Sequence, residues 1–152
     1  MTETTNEPRK VEQLFSELMG ARQDNFPKAG KIEAHAAPES RGVYVIYDPS
    51  GRVVHVGGTP RGKGGLAQRL ENHLHSASTF TRKYPPMKSD GSKLRDGYTF
   101  RCLPVSNDRL RAFLEAYAIG RLCPAHIGLH QLSGIEDDGK ALRHHSLSGA
   151  AF

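Results

Sequence analysis

The sequence lacks the features that mark secreted and membrane proteins. Only two cysteines are present, Cys102 and Cys123, which is too few for the disulfide framework of a small secreted domain. The first ten residues are polar and lack the apolar core of a signal peptide, and no stretch approaches the roughly 20 apolar residues of a membrane span. We therefore expect a cytoplasmic protein that does not insert into a membrane.

Acidic residues are scarce in the middle third of the chain. The whole sequence has 21 Lys and Arg against 16 Asp and Glu, for a formal net charge of +5. Between Arg52 and Arg101 there are ten basic residues and three acidic ones. The acidic residues are Glu71, Asp90 and Asp96, and the basic residues are Arg52, Arg61, Lys63, Arg69, Arg82, Lys83, Lys88, Lys93, Arg95 and Arg101. Such a surface could serve solubility alone, but it favours a polyanionic partner, and we expect nucleic acid, DNA rather than RNA.

The length of 152 residues allows one domain with a real core. We expect a disordered N-terminus over residues 1–9, a helix and connector over 10–38, the main domain over 39–130 and a polar tail over 131–152. The first helix is predicted because Val11, Leu14, Phe15, Leu18 and Met19 recur at helical spacing.

Two short runs rich in β-branched and aromatic residues, 42–47 and 52–57, flank a turn with Asp48, Pro49 and Gly51. This pattern predicts a β-hairpin. If the turn closes symmetrically, Tyr44 lies directly opposite His55, whereas a one-residue bulge would change that register. Residues 98–105 are predicted to form a third strand.

Two further helices are predicted around this hairpin. Over 66–75, the apolar residues form one stripe, and Arg69 and His73, four apart, lie along its border. The later helix begins at a cap provided by Ser106 or Asn107, and Glu115 is the only charged residue between 112 and 120. The fold class is therefore α/β (α+β), a small three-stranded antiparallel sheet flanked by helices, with an extra N-terminal helix.

The order of these motifs resembles the GIY-YIG nuclease family. The resemblance rests on Gly42-Val43-Tyr44, His55-Val56-Gly57, Arg69 with His73, and a helix that carries Glu115, and it spans roughly ninety residues. It implies a metal-dependent endonuclease that hydrolyses phosphodiester bonds through one divalent cation, Mg²⁺ or Mn²⁺, and direct attack of water. In that scheme Glu115 is the metal ligand, Arg69 clamps a phosphate oxygen and Tyr44 positions or deprotonates the water.

Two departures from the family pattern bear on activity. His55 stands where the family name implies tyrosine, and an imidazole with a pKa of about 6.5 is better matched to neutral pH than a phenol with a pKa of about 10. Tyr44, His55 and His73 all remain candidate general bases. No asparagine follows the last helix, where His126 or His130 could take its place. The alternative is a catalytically impaired GIY-YIG-like domain that binds nucleic acid without cutting it.

The glycine-rich segment 57–65 supports two interpretations. It nearly fits the phosphate-binding loop of nucleotide hydrolases, but Gly64 replaces the hydroxyl residue and the chain is too short for the parallel sheet of those enzymes. We expect the segment instead to bring Arg61 and Lys63 to nucleic-acid phosphates. A zinc site built from Cys102, Cys123, His126 and His130 fits no usual ligand spacing.

The loop over 76–97 is the second predicted contact region for nucleic acid. Arg82 and Lys83 are expected to bind phosphates there. Phe80 and Tyr84 could stack on unpaired bases, which favours a single-stranded substrate. No specificity domain is recognisable beside the core, so a partner protein could supply sequence selectivity.

Overall fold

The computed structural model describes residues 6–59 and 63–128. Its helices and strands, in chain order, are α1 (Glu7–Gly20), β1 (Asp24–Asn25), β2 (Gly42–Tyr47), β3 (Val53–Gly58), α2 (Gly65–Leu74), α3 (Thr79–Lys83), β4 (Thr99–Pro104) and α4 (Asp108–Leu122), with 3₁₀ turns at Pro85–Met87 and Gly91–Arg95.

The sheet has four antiparallel strands in the order β1-β4-β2-β3. The expectation of three strands was wrong because β1, only two residues long, pairs with β4 through Asp24 opposite Phe100 and Asn25 opposite Thr99. A two-residue strand in a polar connector carries no alternating pattern that could reveal it. Arg101 on β4 holds the end of α1 and the start of this connector by donating hydrogen bonds to the carbonyl oxygens of Met19 and Ala21 at 2.9 and 2.6 Å.

Each face of the sheet carries its own apolar core. On one face, Tyr44 and Ile46 pack with the α2 residues Leu66 and Leu70. On the other face, Val43 and Val45 pack with residues of α1 and α4, including Leu18, Leu114 and Ala118. The helices that carry Arg69 and Glu115 therefore lie on opposite faces of the sheet.

The hairpin closes in a different register from the symmetric one. Tyr44 lies opposite Gly57 and His55 lies opposite Ile46, and the register shifts between Ile46 and Tyr47. Tyr47 pairs with Val53, one residue beyond its symmetric partner Arg52, and the shift adds a second residue, so Tyr44 pairs two residues further along β3. Because side chains alternate between faces with a period of two, that displacement leaves Tyr44 and His55 on the same face of the sheet.

The helix boundaries follow local chemistry. Helix α1 begins at Glu7 with Pro8 in its first turn, so residues 7–9 are helical. The side chain of Asn107 caps α4 by accepting a hydrogen bond from the backbone N–H of Leu110 at 3.0 Å. The expected tail over 131–152 lies outside the described residues. In the described ranges, no helix combines the length and apolarity needed to cross a bilayer.

Candidate active site

A small cleft of about 110 Å³ opens at the edge of the sheet formed by β3. Four of the five residues that the sequence singled out for catalysis line it: His55 on β3, Arg69 and His73 on α2, and Glu115 on α4. Because β3 is the edge strand, side chains from helices on opposite faces of the sheet can meet beyond it. Glu115 thereby reaches the cleft although its helix packs on the other face.

Gly57 and Gly58, at the end of β3, permit this convergence. A Cβ atom at Gly57 would overlap the phenol group of Tyr44 on one face of the sheet. A Cβ atom at Gly58 would lie 2.6 Å from the Glu115 Oε2 atom on the other face. The two glycines thus let side chains from both faces approach the backbone at the same point.

Tyr44, the fifth predicted residue, lies beneath the cleft and does not line it. Its side chain is fully buried, and its hydroxyl oxygen lies 2.7 Å from His73 Nε2 and 3.5 Å from His55 Nε2. The positive charge of Arg69 also acts on this oxygen. Tyr44 therefore connects the two imidazoles and the guanidinium group from behind the cleft wall.

Burial keeps Tyr44 and His73 uncharged at neutral pH. Desolvation raises the pKa of Tyr44 to about 12, against an opposing effect of Arg69. Desolvation, with the charges of His55, Arg69 and His126, holds the pKa of His73 well below its usual value of 6.5. At neutral pH the phenol therefore keeps its proton and His73 is a neutral imidazole.

Phe80 and Tyr84 build one wall of the cluster instead of a surface for bases. Phe80 stacks on His55 at a ring-centroid distance of 4.8 Å, and Tyr84 stacks on Phe80 at 5.3 Å. Phe80 is 1% exposed and Tyr84 is 8% exposed. The expectation that these rings stack on unpaired bases was wrong, because the short helix α3, which the sequence did not predict, turns them inward. The case for a single-stranded substrate loses its support.

His126 enters the cleft from the segment that follows α4. The backbone N–H groups of Ala125 and His126 donate to the carbonyl oxygens of Val53 and Val54 at 3.2 and 2.9 Å, so this segment lies along β3. The His126 ring lies 5.4 Å from that of His55, and its buried Nε2 atom has no hydrogen-bond partner among the described residues. Desolvation lowers the pKa of His126. His130 lies outside the described residues.

The predicted phosphate-binding cations lie on the protein surface. Lys63, Arg82 and Lys83 are exposed. Arg82 and Lys83 follow Thr79 and Phe80, which line the cleft, so these two cations lie within one helical turn of it. Arg61 lies outside the described residues.

The structure does not support a nucleotide-hydrolase loop. The backbone N–H groups of Leu66 and Ala67, at the start of α2, donate to the carbonyl oxygens of Ser40 and Pro38 at 2.9 and 3.0 Å. A phosphate-cradling loop needs such groups for its ligand. The all-antiparallel sheet also differs from the parallel sheet of those enzymes.

The zinc hypothesis finds no support either. Over residues 6–59 and 63–128, no three His, Cys, Asp or Glu side chains are grouped so that they could hold a metal ion. Cys102 donates a hydrogen bond to the carbonyl oxygen of Ala36, and Cys123 is exposed at the end of α4.

The cleft nevertheless fits a single magnesium or manganese ion with one protein ligand. The Glu115 carboxylate supplies the hard oxygen that these ions prefer, and Mg²⁺ commonly keeps several waters while binding one or two carboxylates plus substrate phosphates. The structural observation that favours Glu115 as the metal ligand is the absence of a side chain at Gly58. Any larger residue there would clash with the Glu115 carboxylate.

Replacing Gly58 with alanine tests the importance of this room. We expect the added methyl group to displace the flexible Glu115 carboxylate at little cost in stability, because the clash involves only the end of a side chain. If the protein has the Mg²⁺-dependent nuclease activity that the sequence motifs imply, the variant should need a higher Mg²⁺ concentration for half-maximal cleavage. Gly120→Ala on α4 is the matched control, since nothing lies within 4 Å of that added Cβ atom. Identical Mg²⁺ dependence in both variants would contradict the idea that Gly58 is needed to leave space for the Glu115 carboxylate.

A larger hollow, of about 490 Å³, lies between α1 and α4 and is lined by Val11, Phe113 and Tyr117 among others. The charged residues Glu7 and Arg109 at this hollow pair with each other, with a nitrogen–oxygen distance of 2.7 Å. The residues predicted to act in catalysis lie elsewhere, so this hollow is not the candidate active site.

Sequence reasoning missed two residues behind His73. Ser78 Oγ lies 2.7 Å from His73 Nδ1, and Thr81 Oγ1 lies 3.1 Å from Ser78 Oγ. Ser78 also caps α3 by accepting from the backbone N–H of Thr81. The available sequence signal is Ser78, a residue type that caps helices, but it stands in a segment whose composition favours a loop.

Comparisons with known proteins give structural matches only: no family model and no curated protein matches the sequence. The chain is similar to the GIY-YIG N-terminal endonuclease domain of UvrC from Thermotoga maritima bound to magnesium, with 25% identity over 59% of this chain and 84% of that one, at a TM-score of 0.41. A tyrosine-to-phenylalanine point mutant of the same domain aligns at 20% identity over 82% of this chain and 96% of that one, at a TM-score of 0.42. Both are domains of the family that the sequence motifs resemble.

Proposed function

We propose that this protein is a metal-dependent endonuclease that hydrolyses phosphodiester bonds in DNA. The observation that carries the proposal is the single cleft at the β3 edge, where a guanidinium, two imidazoles and a carboxylate come together from three separate elements. General base, phosphate clamp and cation ligand are the groups that hydrolysis of a phosphodiester requires. The exposed cations Arg82 and Lys83 beside the cleft would hold the phosphate backbone.

In this proposal Arg69 binds a non-bridging oxygen of the scissile phosphate. Its planar fork matches two phosphate oxygens and meets the charge that develops in the transition state. Glu115 would hold one Mg²⁺ or Mn²⁺ ion, which polarises the phosphate and stabilises the leaving oxygen when bound.

His55 is our choice for the general base. Both nitrogens of His73 lie 2.7 Å from hydroxyl oxygens, those of Tyr44 and Ser78, so His73 cannot accept a proton from water without losing one of these bonds. The phenol of Tyr44, with a pKa of about 12, lies behind the cleft wall. His55 lines the cleft and would take one proton from the attacking water, while the water oxygen bonds to phosphorus. The bond to the leaving sugar oxygen then breaks, and that oxygen takes a proton from solvent.

Incubation with single- and double-stranded DNA and RNA in Mg²⁺ or Mn²⁺ tests this function. We expect cation-dependent cleavage, lost in Arg69→Ala and reduced by about ten- to a hundredfold in Arg69→Lys, which keeps the charge but loses the bidentate fork. Arg9→Lys, at an exposed position on α1, is the control. Nucleic-acid binding without cleavage under every condition would contradict the enzyme and favour the alternative, a domain that binds without cutting.

A further inference from the structure

Behind the cleft, a chain of hydrogen bonds runs from Tyr44 through His73 to the start of α3. Tyr44 Oη lies 2.7 Å from His73 Nε2, His73 Nδ1 lies 2.7 Å from Ser78 Oγ, and Ser78 Oγ lies 3.1 Å from Thr81 Oγ1. The chain ends where Thr81 Oγ1 donates to the backbone carbonyl oxygen of Ser78 at 3.0 Å. His73, Ser78 and Thr81 are each at most 3% exposed, so solvent does not substitute for these bonds.

The position of the Tyr44 hydroxyl hydrogen decides which atom donates and which accepts in each of these hydrogen bonds. The Tyr44 hydroxyl has a single hydrogen, and its two candidate imidazole acceptors are His73 Nε2 at 2.7 Å and His55 Nε2 at 3.5 Å. A buried hydroxyl that donated only across 3.5 Å would lose most of its hydrogen bond. The phenol therefore donates to His73, and His73 Nε2 must carry no hydrogen.

The remaining donors and acceptors then fit one arrangement. A neutral imidazole with a bare Nε2 carries its hydrogen on Nδ1, which donates to Ser78 Oγ. Ser78 Oγ also accepts from the backbone N–H of Thr81 at 3.2 Å, so both of its lone pairs are used and its own hydrogen goes to Thr81 Oγ1. Every hydrogen in the chain then has an acceptor.

We propose that Ser78 and Thr81 are positioning residues that hold His73 in its Nδ1-protonated form, so that the Tyr44 hydroxyl points to His73 and keeps its oxygen lone pairs toward Arg69 and His55. This inference deepens the proposed nuclease function and rests on it for its catalytic consequence. The hydrogen-bond direction itself does not depend on activity. Fixing the phenol in this way holds Arg69 and His55 in place at the cleft wall.

Long-range proton–nitrogen NMR of the full ¹⁵N-labelled protein at neutral pH shows directly which ring nitrogen of His73 carries the hydrogen. The His73 signal is identified by its absence from His73→Gln. We expect Nδ1 to resonate as a protonated nitrogen and Nε2 as a bare one. Observation of a protonated Nε2 in the unmodified protein would overturn the proposal.

Two variants should move the His73 ring hydrogen from Nδ1 to Nε2. Ser78→Ala removes the acceptor for Nδ1–H, although it also removes the cap of α3. Thr81→Val keeps the Ser78 hydroxyl and the hydrogen bond by which it caps α3. It removes Thr81 Oγ1, the acceptor for the Ser78 hydroxyl hydrogen. Ser78 should then donate that hydrogen to His73 Nδ1. In both folded variants we expect the hydrogen on Nε2. Ser78→Thr, which retains the hydroxyl, should keep it on Nδ1. An unchanged His73 in Thr81→Val would refute the role of this chain.

Cleavage measurements separate this inference from the proposed function. In Thr81→Val we expect kcat to fall about tenfold, a part of the roughly 10²- to 10⁴-fold that a positioned base contributes, with KM for DNA unchanged. If the unmodified protein cleaves nothing, the nuclease proposal fails while the nitrogen spectra still decide the direction of the chain. If Thr81→Val carries the His73 hydrogen on Nε2 but keeps a normal kcat, the effect on catalysis is refuted, while the hydrogen-bond arrangement stands.

Discussion

Replacing Glu115 with glutamine is expected to lower the cleavage rate by roughly 10²- to 10³-fold, because several kcal/mol of charge stabilisation are lost and each 1.4 kcal/mol is a tenfold change. Glutamine has nearly the same shape as glutamate, so the contact with Gly58 and the packing of α4 should persist. The variant lacks the anionic oxygen that Mg²⁺ or Mn²⁺ prefers. Single-turnover cleavage at saturating enzyme measures the effect.

Binding and folding controls make the Glu115 result interpretable. The affinity for DNA in the absence of divalent cation should be unchanged or slightly higher, since one negative charge near the phosphates is removed. Glu12→Gln, at an exposed position on α1, should cleave at the normal rate. Normal cleavage by Glu115→Gln at every Mg²⁺ concentration would rule out Glu115 as the metal ligand.

Replacing Tyr44 with phenylalanine is expected to lower the cleavage rate on the order of 10²-fold while the protein still folds. The ring stays in the core, but His73 Nε2 loses its partner at 2.7 Å and Arg69 loses the phenol oxygen. The buried, unsatisfied nitrogen should destabilise the fold by about 1–3 kcal/mol. Chemical denaturation measures this cost, and single-turnover cleavage measures the activity.

Tyr47→Phe offers a matched control on the same strand. Tyr47 lies on the opposite face of β2, and its buried hydroxyl has no hydrogen-bond partner among the described residues. Removing that hydroxyl should leave cleavage unchanged and leave stability unchanged or higher, because no hydrogen bond is lost. If Tyr47→Phe and Tyr44→Phe affect cleavage equally, Tyr44 has only a packing role.

The local elements could be predicted from the sequence because each depends on neighbouring residues. The helical spacing of Leu66, Leu70 and Leu74 and the cap at Asn107 are local signals that favour helices. The order of the motifs also placed Arg69 and Glu115 among the residues that line the cleft. None of these inferences required knowledge of the register between strands.

Features that depend on distant contacts escaped prediction. β1 is a strand only because β4 lies beside it. The two-residue displacement of the hairpin has two parts that the turn sequence did not specify: the turn closes with Tyr47 opposite Val53, and a bulge between Ile46 and Tyr47 adds one more residue. The burial of Phe80 and Tyr84 depends on α3 turning them against His55, so their aromatic character among cations was misleading.

The sequence by itself determined the chemistry available to this protein: a basic middle third, two adjacent glycines at the end of a hairpin strand, and one carboxylate in a helix segment otherwise free of charge. The tertiary structure alone decided which groups meet. β3 is an edge strand, so α2 and α4 on opposite faces can present Arg69 and Glu115 to one cleft. Strand order and register arise from contacts between residues far apart in the chain, and local patterns contain no record of them.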